Sequence, residues 1–231
     1  MNGSTRADFD KLPDQVRDSL ADASDAPQPV DGQPASQRCA TLQRTTKETD
    51  INLTLDLDGT GQTDIDTGVP FFDHMLDAFG RHGLFDLSVH AQGDVEVDAH
   101  HTVEDVGIVL GQAFNQALGD KRGIVRFAHS FLCMDEAMVL AAVDISGRGQ
   151  LHYAVDLPIE IVGTFDTTLA KEFFIALASH ADLTLHIRSF AGENSHHILE
   201  AAFKAAGRSL CQATRINPRI AEQLPSTKEV L

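Results

Sequence analysis

The sequence predicts an α+β protein made of two copies of one unit, each a sheet covered on one face by helices. Three observations carry that prediction. Ile51, Leu53, Leu55 and Leu57 alternate with Asn52, Thr54 and Asp56, the period of two of a strand with one buried and one wet face. The segments His100-His101-Thr102-Val103-Glu104 and His196-His197-Ile198-Leu199-Glu200 both read HHxxE, lie 96 residues apart and each open a helical pattern. Upstream, HMLDAFGRHGLFDLSVH at 74–90 matches EFFIALASHADLTLH at 172–186, each with a second His eight positions on (His82, His180) and then a strand ending in His; the second copy is two residues shorter.

Residues 1–37 stand apart, dominated by Asp, Ser, Ala, Gln and Pro. A short helix fits 9–21, and the rest has the composition of a disordered acidic extension without functional weight. The folded part begins near Arg38 and divides into half-repeats over 38–124 and 125–231. In the first, the strand at 51–57 precedes a helix over 71–82, a strand over 84–92 and the HHxxE helix over 101–118. In the second, strands near 126–134, 137–145 and 150–156 precede a helix near 167–180, a strand near 182–189 and the last helix near 196–213.

Hydrophobic residues make up 42% of the 231, with no Trp and one Tyr, so the predicted core leans on Phe, Leu, Ile and Val. The net charge of −16 with His neutral argues against a nucleic-acid partner, and any anionic substrate must be met by a local basic pocket. Cys39, Cys133 and Cys211 lie far apart without CxxC spacing, which predicts neither a disulfide framework nor a thiolate metal site. The start, MNGSTRADFD, lacks the basic-then-apolar pattern of a leader, and no apolar run reaches membrane length. The expected compartment is the cytoplasm, with no membrane partner.

The eleven His residues are clustered, and the chemistry is read from them. On a helix, positions three or four apart share a face, so His100 or His101 with Glu104, and His196 or His197 with Glu200, can address one ion. Adjacent histidines diverge by about 100°, so each doublet is suited to serving two different ions. Imidazole with carboxylate and no thiolate suits Mn, Fe or Zn. A single HHxxE is ordinarily a solvated helix face; two copies at equivalent repeat positions are not explained that way. His74 aligns with Glu172, so if His74 is a ligand, Glu172 is its counterpart. His82, His90, His180 and His186 are better read as packing or hydrogen-bonding groups, and no pattern stands behind His129 or His152. Lys204, four residues after Glu200, can reach a group bound near that ion. Arg126, Arg148 and Lys228, at strand ends and in the tail, are candidates to hold a phosphate, by Arg forks or by a Lys point charge.

Residues 51–60 imitate the DxDGT nucleophile motif of haloacid-dehalogenase-type phosphatases, with Asp56 and Asp58 in the acidic positions. That motif ends a buried parallel strand, which should read as continuously apolar. The alternation here predicts instead a hairpin turn at Asp58-Gly59. A metal-storage protein leaves the basic candidates unexplained, and a zinc hydrolase would call for HExxH rather than HHxxE.

FFDHM at 71–75, DAHHTVED at 98–105, GENSHHILEAAFKAAGRSL at 192–210 and STKEVL at 226–231 together resemble the imidazoleglycerol-phosphate dehydratase family of histidine biosynthesis, in order and spacing over residues 38–231. The resemblance implies a duplicated unit, each half a four-stranded sheet with helices on one face (ribosomal protein S5 domain 2-like). It also implies a homo-oligomer, a 24-subunit shell with active sites between subunits. Two Mn(II) ions per site would be held by His74, His100, His101, Glu104, Glu172, His196, His197 and Glu200. Glu48 matches the family's carboxylate at the substrate, and Arg126, Arg148, Lys204, Ser226, Thr227 and Lys228 its phosphate-binding segments. The family usually carries Gly where this chain has Glu229; Gly often marks positive φ, and an acidic side chain beside Lys228 is expected to weaken phosphate binding.

The implied reaction is the dehydration of D-erythro-imidazole glycerol phosphate to imidazole acetol phosphate. Metal on a ring nitrogen lowers the azole N–H pKa, and the resulting metal-bound imidazolate pushes electrons toward the leaving hydroxyl. The departing hydrogen is expected on the carbon bearing the ring, and the enol formed tautomerises to the ketone. Glu48 is the leading acid/base candidate, with the HHxxE carboxylates Glu104 and Glu200 as alternatives.

Overall fold

β1 (Cys39–Thr45) and β2 (Thr49–Asp56) form an antiparallel hairpin, and β4 (Asp86–Gly93) adds antiparallel to β2. The short β3 (Thr63–Asp66) then pairs parallel to β4, giving a four-stranded sheet in the order β1-β2-β4-β3. The second half repeats this with β5 (Phe127–Met134), β6 (Ala137–Asp144), β10 (Thr184–Ala191) and β7 (Gln150–Ala154), in the order β5-β6-β10-β7. Between β7 and β10 lies a two-stranded ribbon of β8 (Ile161–Val162) and β9 (Phe165–Asp166). These elements come from a computed structural model that describes residues 38–231; the extension read over 1–37 lies outside the described residues.

Four helices complete the pattern: α1 (Pro70–Gly83), α2 (His100–Leu118), α3 (Leu169–His180) and α4 (Ser195–Thr214). α2 covers β1 and β2, and α4 covers β5 and β6. The alternation at 51–57 works as predicted, with Ile51, Leu53, Leu55 and Leu57 buried. Four strands escaped the sequence reading: β1 and β3, and the two-residue β8 and β9 of the ribbon. β1 buries only Ala40 fully, and β3 reads Thr-Asp-Ile-Asp; both are sheet edges whose formation depends on pairing more than on apolar pattern.

Two expectations are corrected. No hairpin turns at Asp58-Gly59: β3 skips β2 and pairs with β4, and Asp58 accepts a two-pronged ion pair from Arg38. β2 lies antiparallel to both neighbours, which is not the strand setting of a DxDGT nucleophile. The repeat alignment also shifts. β1 pairs with β2 as β5 pairs with β6, 88 residues later, and matching Asp86 on Asp56 to Thr184 on Asp144 offsets β10 from β4 by 98. His186 is therefore the counterpart of Ser88, not His90, and the two-residue shortening falls between strand and HHxxE helix. Ladder register fixes that alignment; similarity of letters does not.

The helices pair across the halves, α1 on α4 and α2 on α3. Each crossing rests on a glycine. A Cβ at Gly111 would lie 2.7 Å from the Leu177 carbonyl oxygen, and one at Gly207 would press closer still on the Phe79 carbonyl. These are equivalent contacts, made twice. Gly111→Ala and Gly207→Ala should each cost at least about 1 kcal/mol, because backbone cannot yield as a side chain can and overpacking outweighs the better helix propensity of Ala. Urea denaturation reads the loss; unchanged midpoints would refute the close crossing.

Candidate metal centre and anion pocket

α1 starts with Pro70 in its first turn, where the missing N–H costs nothing, and the Asp73 carboxylate accepts the Thr67 N–H at 2.9 Å. This fixes His74 one turn into the helix. α4 starts with the Asn194 side chain accepting the His196 N–H at 2.9 Å, which orients the second HHxxE. The α1–α4 crossing brings the two together. His196 Nε2 lies 3.2 Å and His74 Nε2 3.4 Å from Glu200 Oε2, and the three ligand atoms fall within 4.8 Å of one another. Separations near 3.2 Å are the edges of a coordination polyhedron with bonds of about 2.1 Å, so these residues fit one divalent ion. His74 thus joins the HHxxE of the other half, a pairing the sequence left open.

Glu200 is buried, and its other oxygen accepts from Lys204 Nζ at 2.6 Å. Burial pushes its carboxyl up, but Lys204 and His74 outweigh that and hold it below the usual range. In the first half the counterparts are looser: His100 Nε2 stands 3.7 Å from Glu104 Oε2. Glu172 sits in the first turn of α3, the helix packed on α2, but among the described residues only His74, His196 and Glu200 converge as a group of three.

The second His of each doublet turns away, its ring 88° from its neighbour's at His100–His101 and 82° at His196–His197. His101 Nδ1 lies 3.2 Å from both Asp94 oxygens and 4.0 Å from Glu48. His197 Nδ1 lies 2.8 Å from Glu136, whose other oxygen accepts the Glu193 and Asn194 N–H groups. The hydrogen bonds to Asp94 and Glu136 raise both imidazole pKa values, and the one from His197, helped by the two N–H groups, lowers Glu136 to about 2. Sequence reasoning missed Asp94 and Glu136. Glu136 follows Glu48 by 88 residues at the same place in its hairpin, so the strand repeat could have found it.

Arg126, Arg148, Ser226, Thr227 and Lys228 line one cavity of about 390 Å³, closed by Gly147, Val230 and Leu231. Arg126 donates to Asp144 at 2.8 Å and to the Pro225 carbonyl at 2.7 Å, tying the tail to the sheet. It does so at φ 76°, a strained conformation for a side chain of this size. Glu229 has φ 57°, the left-handed conformation that a Gly there would take freely. Lys204 lies elsewhere, at the His74–His196–Glu200 cluster, beside Met134. Four of the remaining histidines have ordinary occupations: His90 with Asp64 at 3.0 Å, His180 on the Ala176 carbonyl, and His186 stacked on His152 at 4.2 Å.

Lys204→Met leaves a buried carboxylate one partner short, which should cost the metal-free fold about 1–3 kcal/mol at pH 7. Because the Glu200 pKa is lowered on folding, that stability is present above its ordinary value of 4.5 and fades as pH falls through the lowered value. The gap between variant and parent in urea should therefore narrow progressively as pH falls below 4.5; a gap independent of pH would contradict the pairing.

The family model described as "Imidazoleglycerol-phosphate dehydratase" matches residues 67–210. Proteins of that name from Pelobacter propionicus and Microcystis aeruginosa are 58% and 55% identical over 194 residues, 84% of this chain and 99% and 93% of theirs. The crystal structure of the Staphylococcus aureus enzyme superposes with a TM-score of 0.71 at 41% identity, covering 78% of this chain and 99% of that one. The Pyrococcus furiosus enzyme, solved in complex with (S)-C348, gives 0.72 at 37% identity, covering 82% and 100%. With its duplicated four-stranded sheets, the four α-helices of its described residues and this degree of identity, the chain belongs to the imidazoleglycerol-phosphate dehydratase family of hydro-lyases.

Proposed function

We propose that this chain converts D-erythro-imidazole glycerol phosphate to imidazole acetol phosphate in cytoplasmic histidine biosynthesis, with two Mn(II) ions at each site. The observation that carries the reading is the convergence of His74, His196 and Glu200, a thiolate-free set of the kind Mn(II) accepts, in a chain of this family. Bound Mn(II) would supply the Lewis acidity that favours the imidazolate form of the substrate ring.

The chemistry corrects one expectation. An imidazolate can expel a group only from the carbon attached to the ring, so the hydroxyl leaves there and the hydrogen leaves from the central carbon. The enol formed carries its remaining hydroxyl on the central carbon and tautomerises to the ketone. Glu48 remains the leading carboxylate to take or give the proton, with Glu104, 46% exposed and 3.7 Å from His100, as its alternative. The Glu48 side chain is 55% exposed and its nearest charged neighbour, His101, stands 4.0 Å away, whereas both Glu200 oxygens are already engaged. Arg126, Arg148, Ser226, Thr227 and Lys228 would hold the phosphate, and Lys204 would act from the metal end.

One chain does not bring these parts together. Arg126 precedes β5, and Glu136 with His197 lies beyond its far end, so the eight-residue strand separates them by roughly 23 Å. A small substrate cannot span that distance, which supports a homo-oligomer in which the basic pocket of one copy faces the metal ligands of another. The outer face of the second sheet exposes Phe127, Phe131 and Phe190, apolar surface suited to such contacts.

Chelator-stripped protein should turn over imidazole glycerol phosphate only after Mn(II) is returned; metal bound without turnover would refute the assignment. Glu48→Gln should abolish turnover and keep its metal, and retained activity would remove Glu48 from the role. Replacing Glu229 with Gly should lower KM, an unchanged KM disposing of the charge argument. The raised pKa values of His101 and His197 mean that protons compete for these ligands from above pH 6.5 downward. Mn(II) affinity should begin to fall above that pH, and a plateau extending below it would be inconsistent with their ligation.

A further inference from the structure

Glu48 and Glu136 are repeat equivalents, each the residue before the second strand of its hairpin, yet they have parted company. Glu136 is committed: one oxygen takes the His197 Nδ1–H at 2.8 Å, and the other takes the Glu193 and Asn194 N–H groups at 3.1 and 2.9 Å. In the first half that work is done by Asp94, which sits 3.2 Å from His101 Nδ1 and leaves Glu48 at 4.0 Å. An ionised carboxylate only accepts, so the proton of each ring must lie on Nδ1, and the lone pair of the neutral imidazole lies on Nε2.

From this geometry we infer that Asp94 and Glu136 are positioning residues: they fix His101 and His197 in the Nδ1–H form, with Nε2 presented outward as the metal-binding atom. Asp94 has a second consequence. By occupying His101 it leaves the first-half carboxylate unbound, so that of two equivalent glutamates one orients a ligand and the other, Glu48, is available for proton transfer. Of two copies of one hairpin, one has become structural and one reactive. The inference rests on the Mn(II) reading above, and carboxylate partners of ligating imidazoles raise metal affinity by about 10- to 100-fold.

The test is Mn(II) affinity by chelator competition on the intact protein, in a double-mutant cycle of Glu136→Ala with His197→Ala, and of Asp94→Ala with His101→Ala. In the parent background each carboxylate deletion should weaken Mn(II) about 10- to 100-fold, with the conservative Glu136→Gln, whose amide oxygen still accepts from Nδ1–H, recovering part of the loss. In the His→Ala background the same deletion should change affinity less than twofold, because the residue acts only through the ring. An equal loss in both backgrounds would assign Glu136 to bracing the 193–194 loop and overturn the inference. So would single variants that bind as the parent does, with the metal reading left standing. A parent that binds no Mn(II) would overturn both.

Discussion

The α1–α4 crossing is the constraint on which the rest depends. With no side chain at Gly207, the two backbones approach until the Phe79 carbonyl lies against it, and at that separation His74 on one helix meets His196 and Glu200 on the other. The candidate ligand set is therefore a product of duplication and exchange. Each half donates one helix to the other's HHxxE, and neither half alone holds His74 and Glu200 together. The same crossing recurs at Gly111, so the architecture offers two such positions while the side chains draw three ligands tightly together at only one of them among the described residues.

Electrostatics follow from that packing. In a chain of net charge −16, two cations have particular structural tasks. Lys204 neutralises Glu200 in the interior, and Arg126 draws the C-terminal tail over the end of the second sheet so that Lys228 and Arg148 share one cavity. Left-handed backbone at Arg126 and Glu229 frames that cavity, strain of the kind that folds tolerate where a site must be shaped. The basic cavity and the Glu136–His197 pair lie toward opposite ends of one sheet, with the length of β5 between them.

Divergence between the halves is as informative as their likeness. The outer face of the first sheet presents Thr41, Asn52 and Thr54, whereas the second presents Phe127, Phe131 and Phe190. Asp58 neutralises Arg38 in the first half; the corresponding place in the second is Ser146, and there the neighbouring Arg148 opens onto the basic cavity. Two copies of one unit have been turned to different tasks by a few substitutions at equivalent registers.

The sequence by itself determined the helices, the buried strand faces and the HHxxE pairs, because these are local: periodicity, capping and ligand type are written within a few turns of chain. It also located the basic tail and, through its resemblance to a family, a reaction. It placed Lys204 beside Glu200, but it did not disclose that His74 lies against the opposite half's HHxxE or that His101 and His197 each lean on a carboxylate. Asp94 and Glu136 carry no motif of their own. Nor did it reveal β1, β3, β8 or β9, strands that owe their form to a partner. These matters depend on which backbone lies against which, and that was decided by glycine contacts and ladder registers joining residues far apart in the chain.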